Sequence, residues 1–501
     1  MRDSSTHSEK PPPEAPASPE DASLWISTFG LHAAQASSVT RGEVDSLSAS
    51  LLHRAARKIG VDRAVGYTIL GRGWAAGSGF VSAVVITAAL TPVDQGYWYT
   101  FGSILGLQVF FELGLSVVVM QFASHERASL EWTRSGFMAG DAEAKSRLAS
   151  LVRLSLLWYG AAAVLMAVIV IPVGLRFFGS SDQGGGSVRW VFPWVLFGLM
   201  QAATLVMTPV FAILEGCGKV ADVARFRMVQ SVLNSLVVWS ALLAGWKLFA
   251  LPAMSAVPLI WGATWLAFKY RKWIADLLRS VSPSSRIRWL GEVWPFQWRL
   301  AVSWLSSYFI FQLFSPVLFA YQGATVAGQM GMSLSLSSSL AAFGMAWLST
   351  KAPAFGTLVA RRDFGQLDRL FARSTFQSFC VLTAGVLSAW ILFVYLRHAG
   401  FALGLRVLAP LPLGLLLMTT LVNQLVFAEA VYLRAHKREP FMWLSVASGV
   451  TTGLSTWILG MTTGAVGVTA GYLACSTCVG LLGGTWVFVR RRRAWHTPAE
   501  S

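Results

Sequence analysis

The chain has 501 residues, of which 54% are hydrophobic and only 13% charged. Its apolar residues run on for twenty or more positions instead of alternating or forming heptads, which excludes a soluble protein and leaves one that crosses a membrane many times. The net charge of +16 does not mark a nucleic-acid binder: residues 1–65 carry seven basic and eight acidic side chains, so the excess belongs to the membrane part, beside anionic lipid headgroups.

In chain order, residues 1–23, with "KPPPEAPASPE", read as disordered. Residues 45–60, "DSLSASLLHRAARKIG", suit a short basic amphipathic helix on the inner leaflet. The segment 1–65 has no basic region followed by an apolar one, so it is not read as a signal peptide. At about 20 residues per crossing, the apolar runs predict twelve spans: 66–91, 97–123, 150–175, 189–214, 222–245, 248–269, 295–320, 325–350, 376–397, 403–432, 441–460 and 464–489.

The basic residues support this division. Outward connections hold Arg176, Arg189, Lys247, Arg397 and Arg406. Inward ones hold Arg127, Arg134, Lys145, Arg147 and Arg153; Lys269, Arg271, Lys272, Arg279, Arg286 and Arg288; Lys351, Arg361, Arg362, Arg369 and Arg373; and Arg490 to Arg493. By the positive-inside rule both termini are expected in the cytoplasm. The expected organisation is a cytoplasmic tail 1–65, a six-helix lobe 66–285, a second six-helix lobe 286–490 and a cytoplasmic tail 491–501.

Enzymatic motifs are absent. "GDAEAKS" and "LEGCGKV" lack the spacing of a phosphate-binding loop, no His-Glu-x-x-His occurs, and the outward loops are too short for a catalytic domain. Cys475 and Cys478 form a C-x-x-C inside the last span, read as small packing residues; Cys217 and Cys380 are solitary. Neither a catalytic residue nor a metal site is expected.

The halves echo each other. "TPVDQGYWYTFGSILGL" and "ATVAGQMGMSLSLSSSL" each place a glycine, Gly96 or Gly328, at the start of the second helix of a half, followed by an acidic-then-basic segment. Repeats of six spans lie parallel, related by an axis along the membrane normal. The fold class expected is therefore all-α and polytopic, two pseudo-symmetric six-helix lobes around a central cleft.

At "ALTPVDQGYW" followed by the acid-x-Gly-x of "FELGLS", and again at "VAGQMGMSLSL" and "STKAPAFGTLVARRDFGQLDRLFARS", the chain resembles bacterial polysaccharide and O-antigen flippases of the multidrug/oligosaccharidyl-lipid/polysaccharide flippase superfamily. The resemblance covers roughly 66–490. Where that family most often has Asp in the second helix this chain has Glu112, and its N-terminal tail is longer. The resemblance implies an alternating-access protein of the bacterial inner membrane that carries a polyprenyl-pyrophosphate-linked oligosaccharide outward, for synthesis of cell-surface polysaccharide. Glycosyltransferases and a polysaccharide polymerase are its expected partners. A cation-coupled multidrug exporter shares the expected fold and is the alternative; a membrane-embedded glycan-processing enzyme is a more distant one.

Candidate site residues stand out as polar positions on apolar helices. Gln108, Glu112 and Ser116 make one stripe at i, i+4 and i+8. Gln201, Thr204 and Thr208 follow on the fourth span, Gln230 and Asn234 on the fifth, Tyr308, Gln312 and Ser315 on the seventh, and a cluster from Ser333 to Ser339 on the eighth. The plainer reading is interhelical hydrogen bonding; the functional one is a hydrophilic cavity whose donors and acceptors replace water around a sugar. Arg72 and Arg299 open the first and seventh spans and, with Lys351, are expected to grip a pyrophosphate, snorkelling to the interface being the plainer role. Glu112 is expected to hold an arginine when the site is empty, or to bind a proton or Na⁺ that couples transport; no other cofactor is expected. Nearer the inner face, Glu215 is expected to pair with Lys219 or Arg225 and Glu429 with Arg434. Arg397 and Arg406, outside, are expected to be solvated.

Overall fold

The structure, a computed structural model, describes residues 63–181, 188–280, 287–436 and 440–496. The expected amphipathic segment 45–60 and Arg286 lie outside the described residues. The described residues from Tyr67 onward form one compact unit.

The fold is all-α and polytopic. Among the described residues nine helices are long and apolar enough to cross a membrane, and the bent pair Pro92–Glu112 and Leu115–Ser129 makes a tenth. Two more helices, Ala324–Ala360 and Met442–Thr462, fill the places of the eighth and eleventh expected spans. Serines in the first and glycines, serines and threonines in the second dilute their hydropathy without shortening them. The last span outruns its expected end: its helical residues continue through Ser476–Leu482, in π geometry, and Gly483–His496. Large apolar side chains such as Leu165, Val168, Ile391, Leu392, Trp457 and Ile458 stay exposed on the outer surfaces of these helices, as lipid contact requires.

Local chemistry places the helix starts. Thr91, Pro92 and Asp94 start the second span with a capping box: the Thr91 hydroxyl accepts from the Asp94 amide at 3.1 Å, and the Thr91 amide donates to Asp94 Oδ2 at 3.3 Å. Asp363 caps the ninth with a single side-chain bond, accepting from the Gln366 amide at 3.1 Å.

Three spans break near their middles. Leu113 (φ 51°) and Gly114 (φ 65°) turn left-handed and bend the second by 43°. The fourth divides between Val191–Leu205 and Thr208–Gly216, and the seventh between Trp294–Phe311 and Phe314–Gln322. A broken helix frees backbone groups, which a membrane protein tolerates only against protein or a water-lined cavity.

Ion pairs and ring stacking join the connections that are rich in Lys and Arg. At the basic end, Arg147 bridges Glu126 (2.9 Å) and Glu292 (2.7 Å), Lys145 pairs with Asp276 (2.8 Å), and Trp158 stacks on Trp289. These contacts tie the linker into the seventh span to the third span. The Arg288 amide, then the Arg147 guanidinium, hold Glu292 below the ordinary carboxylate range.

A two-stranded hairpin also lies at this end, β1 (Leu130–Trp132) against β2 (Met138–Gly140), closed by a turn in which Gly136 takes φ 84°. The Trp132 indole donates to the Cys217 carbonyl at 2.8 Å and carries Lys219 over its ring at 4.5 Å. One side chain thus pins two connections together.

At the opposite end the second and eighth spans cross where neither has a side chain. A Cβ on Gly96 would stand 2.0 Å from the Ala324 carbonyl oxygen, and one on Gly328 2.8 Å from the Gly96 amide nitrogen. The two glycines picked out by sequence symmetry are thus a backbone-to-backbone contact between the halves.

Candidate functional site

A cavity of about 390 Å³ opens where the broken helices meet, walled by Gly106, Gln108 and Glu112 of the second span, Gln201 of the fourth, Met254 of the sixth and Trp304 of the seventh. The breaks shape it. The left-handed turn at Gly114 leaves room for the Trp304 indole, which lies 3.2 Å from where a Gly114 Cβ would stand. Gln312, at the break in the seventh span, packs against Gly106, 3.3 Å from the corresponding Cβ position.

Polar groups on and behind the wall form a hydrogen-bonded chain. The Ser255 hydroxyl donates to Gln201 Oε1 at 3.3 Å, and Gln201 Nε2 donates to Gln108 Oε1 at 2.8 Å. The Gln108 amide NH₂ is left without a protein acceptor among the described residues and can donate into the cavity. Glu112 accepts from Ser116 at 2.7 Å and from Tyr159 of the third span at 3.4 Å, both at Oε1. No described residue bonds to its Oε2, which is the atom available to a proton, a cation or a ligand hydroxyl.

This corrects the expected arginine partner of Glu112. The i+4 hydroxyl and a neighbouring phenol satisfy the carboxylate locally, while Arg72 and Arg299 sit near the basic ends of their helices. Arg299 lies five residues before Trp304, about 7–8 Å along the helix axis from the cavity wall. Its one described contact is with the neighbouring Trp298 ring, at 5.6 Å. Arg72 and Lys351 are exposed, with no ion pair among the described residues.

The structure therefore brings together Gln108, Glu112 and Gln201, with Gln312 alongside, and leaves Arg72, Arg299 and Lys351 as exposed cations outside the cavity wall. Asn234 belongs to neither group: its Oδ1 is buried in the fifth span without a partner among the described residues. The serine cluster does not line this cavity. Ser338 and Ser339 donate to the Ser335 carbonyl of their own helix, and Ser333 accepts from the Leu408 amide at 3.0 Å.

Other pairings also differ from expectation. Glu215 meets Arg227 at 3.1 Å, in place of Lys219 or Arg225, because Lys219 is taken by the Trp132 ring. Glu429 accepts from Thr485 at 2.7 Å instead of Arg434, since it faces the last span. Arg406 is half-buried rather than solvated, with its guanidinium bonded to Gln95 and to backbone carbonyls of the first span.

Sequence reading missed Gln201's partner Ser255 and the wall residue Trp304, neither of which lies on a polar stripe. It also missed Gln297, wholly buried in the seventh span with both amide atoms unpaired among the described residues. An isolated Gln two residues before Arg299 was the only available signal.

No protein-family model matches the chain, and no curated protein sequence does. Solved structures do. The inward-facing conformation of a multidrug resistance MATE family transporter of the MOP superfamily superposes with a TM-score of 0.62 at 14% identity, covering 86% of this chain and 99% of that one. A MOP superfamily transporter from Pyrococcus furiosus, described as having a binding pocket of reverse polarity, gives 0.51 at 11% identity over 87% and 96%. A MATE in complex with MaD3S gives 0.50 at 13% identity over 86% and 96%. The chain has the fold of the MATE and MOP transporters.

Proposed function

We propose that this protein translocates a polyprenyl-pyrophosphate-linked oligosaccharide across the bacterial inner membrane by alternating access. Its basic end and both termini face the cytoplasm, where glycosyltransferases build the cargo; a polysaccharide polymerase receives it outside. The fold supports transport rather than catalysis, because the neighbours sharing it are transporters.

The observation that carries the choice of cargo is the chain Ser255–Gln201–Gln108, whose two amides stand on the cavity wall with the buried Ser255 behind them. Neutral amides offer both donors and acceptors, which suits sugar hydroxyls stripped of water, and Trp304 presents an indole to the same space. A pyrophosphate leads at the basic end, where Arg72, Arg299 and Lys351 have no competing carboxylate among the described residues. Glu112 couples the cycle through Oε2, taking up a proton or Na⁺ on one side and releasing it on the other.

Export of small organic cations is the second reading, favoured by the same carboxylate and by the multidrug transporter sharing the fold. A deletion strain separates the two. Loss of surface polysaccharide with unchanged susceptibility to cationic dyes, restored by the wild-type gene, is the expected result; normal polysaccharide with raised dye susceptibility would establish the exporter.

A further inference from the structure

The carbonyls at the end of the first span raise a question of hydrogen-bond accounting. The last four carbonyls of a helix have no partner within it and carry the negative end of its dipole. Here two of them, Thr87 and Leu90, accept from a single side chain of the other half of the molecule: Arg406 Nη2, from the connection between the ninth and tenth spans. Its Nη1 donates to Gln95 Oε1 at 3.3 Å. Gln95 answers with its own amide, donating to the Arg406 carbonyl at 3.0 Å and to the Gly328 carbonyl at 2.9 Å. Gln95 is 1% exposed, and every hydrogen bond its side chain makes among the described residues is with the second half.

The surroundings fix this cluster in place. Asp94, 4% exposed, is held by the Thr91 capping box one residue before Gln95, with Lys247 3.8 Å away. Leu408, two residues after Arg406, donates its amide to Ser333 of the eighth span. Directly beneath, the Gly96–Gly328 crossing brings the two backbones into contact. Five polar groups of Arg406 and Gln95 are therefore satisfied only while the two halves touch at this end.

We infer that the Arg406–Gln95 cluster is a reversible latch that holds this end of the protein shut and must be released for it to open. Lipid cannot hydrate a bare guanidinium or helix-end carbonyls, whereas an aqueous opening between the halves can. The cluster therefore comes apart only in the movement that admits water at this end. A guanidinium suits the role because its planar fork reaches three acceptors at once, which an ammonium on a flexible stem does not. The inference rests on the alternating-access reading and on no particular cargo.

The test is a distance measurement in the full chain in lipid nanodiscs. Spin labels go on Trp246→Cys and Phe401→Cys, two exposed residues at this end, one in each half, with the four native cysteines replaced. Loss of two charge-assisted bonds is expected to raise the long-distance population relative to the short by about tenfold or more in Arg406→Ala. Gln95→Leu should give a comparable rise and Arg406→Lys a smaller one. Arg397→Ala removes another arginine at this end, one whose Nη1 has no partner among the described residues, and should leave the ratio unchanged. If Arg406→Ala does not purify as a single species, Arg406→Lys and Gln95→Leu decide. Unchanged ratios in the Arg406 and Gln95 variants would overturn the latch, and so would an equal rise in Arg397→Ala. A wild type that still populates both distances would then leave alternating access standing.

Discussion

Replacing Arg72 or Arg299 by alanine is expected to abolish surface polysaccharide in the complemented deletion strain while protein level and membrane insertion stay normal. Both arginines are exposed and free of carboxylate partners among the described residues, so neither is needed to neutralise a buried charge. Bidentate guanidinium–phosphate bonds contribute about 1.5–3 kcal/mol each. Removing one therefore weakens pyrophosphate binding by roughly ten- to a hundredfold. Lysine should restore only part of the activity, because it keeps the charge but loses the fork. Simple snorkelling predicts the reverse, with lysine nearly full and alanine mild. Normal surface polysaccharide from both alanine variants, against immunoblotted protein, would remove the phosphate grip and leave the cavity amides to carry recognition alone.

Gly96→Ala is expected to be as damaging, for a reason of packing. The added methyl meets only backbone, the Ala324 oxygen at 2.0 Å, its carbonyl carbon at 2.5 Å and its Cα at 2.8 Å. No side chain can swing aside, so the second and eighth spans must move apart. Overpacking of this kind costs about 1–3 kcal/mol or more, and here it falls on the contact that closes one end. Gly102 on the same helix is the control: nothing lies within 4 Å of its Cβ position, and alanine there should gain helix propensity. Thermal unfolding of the purified variants checks the pair. Gly96→Ala should melt a few degrees below the wild type and Gly102→Ala at or slightly above it; equal melting would show that the crossing yields more readily than its geometry implies.

Much of the fold was legible because membrane burial is written in one dimension. Apolar runs set the number and length of the spans, the serine-rich eighth and the eleventh included, and the alternation of basic residues in the loops agreed with that division. Ser116 does bond Glu112, as their spacing suggested, but the left-handed turn at Leu113 and Gly114 interrupts the helix between them, so the turn and not a continuous helical face brings the pair together.

Features set by distant neighbours were not legible. Leu113 gives no sign that it will take a positive φ, whereas the break of the fourth span at Val206 and Met207 is followed by Pro209, a helix-start signal that the hydropathy reading passed over. The hairpin's "TRSG" was a readable turn signal between two short strands, but its short apolar flanks carried no strand period. Arg406 looked like a solvated loop cation because its acceptors lie more than 300 positions away in the chain. Glu215 was assigned partners four and ten residues on, whereas a broken helix end let it reach twelve, to Arg227.

The most direct test of the central claim is translocation by the purified protein in proteoliposomes loaded on one leaflet with a fluorescent polyprenyl-pyrophosphate oligosaccharide. The measurement is the fraction of label that becomes accessible to a membrane-impermeant quencher on the other side, with a proton or Na⁺ gradient imposed. Gradient-dependent exposure of the label, reduced in Glu112→Gln and lost in Arg72→Ala and Arg299→Ala, is the predicted result. Label that stays on its original leaflet, from vesicles in which the same protein moves a small organic cation, would contradict it.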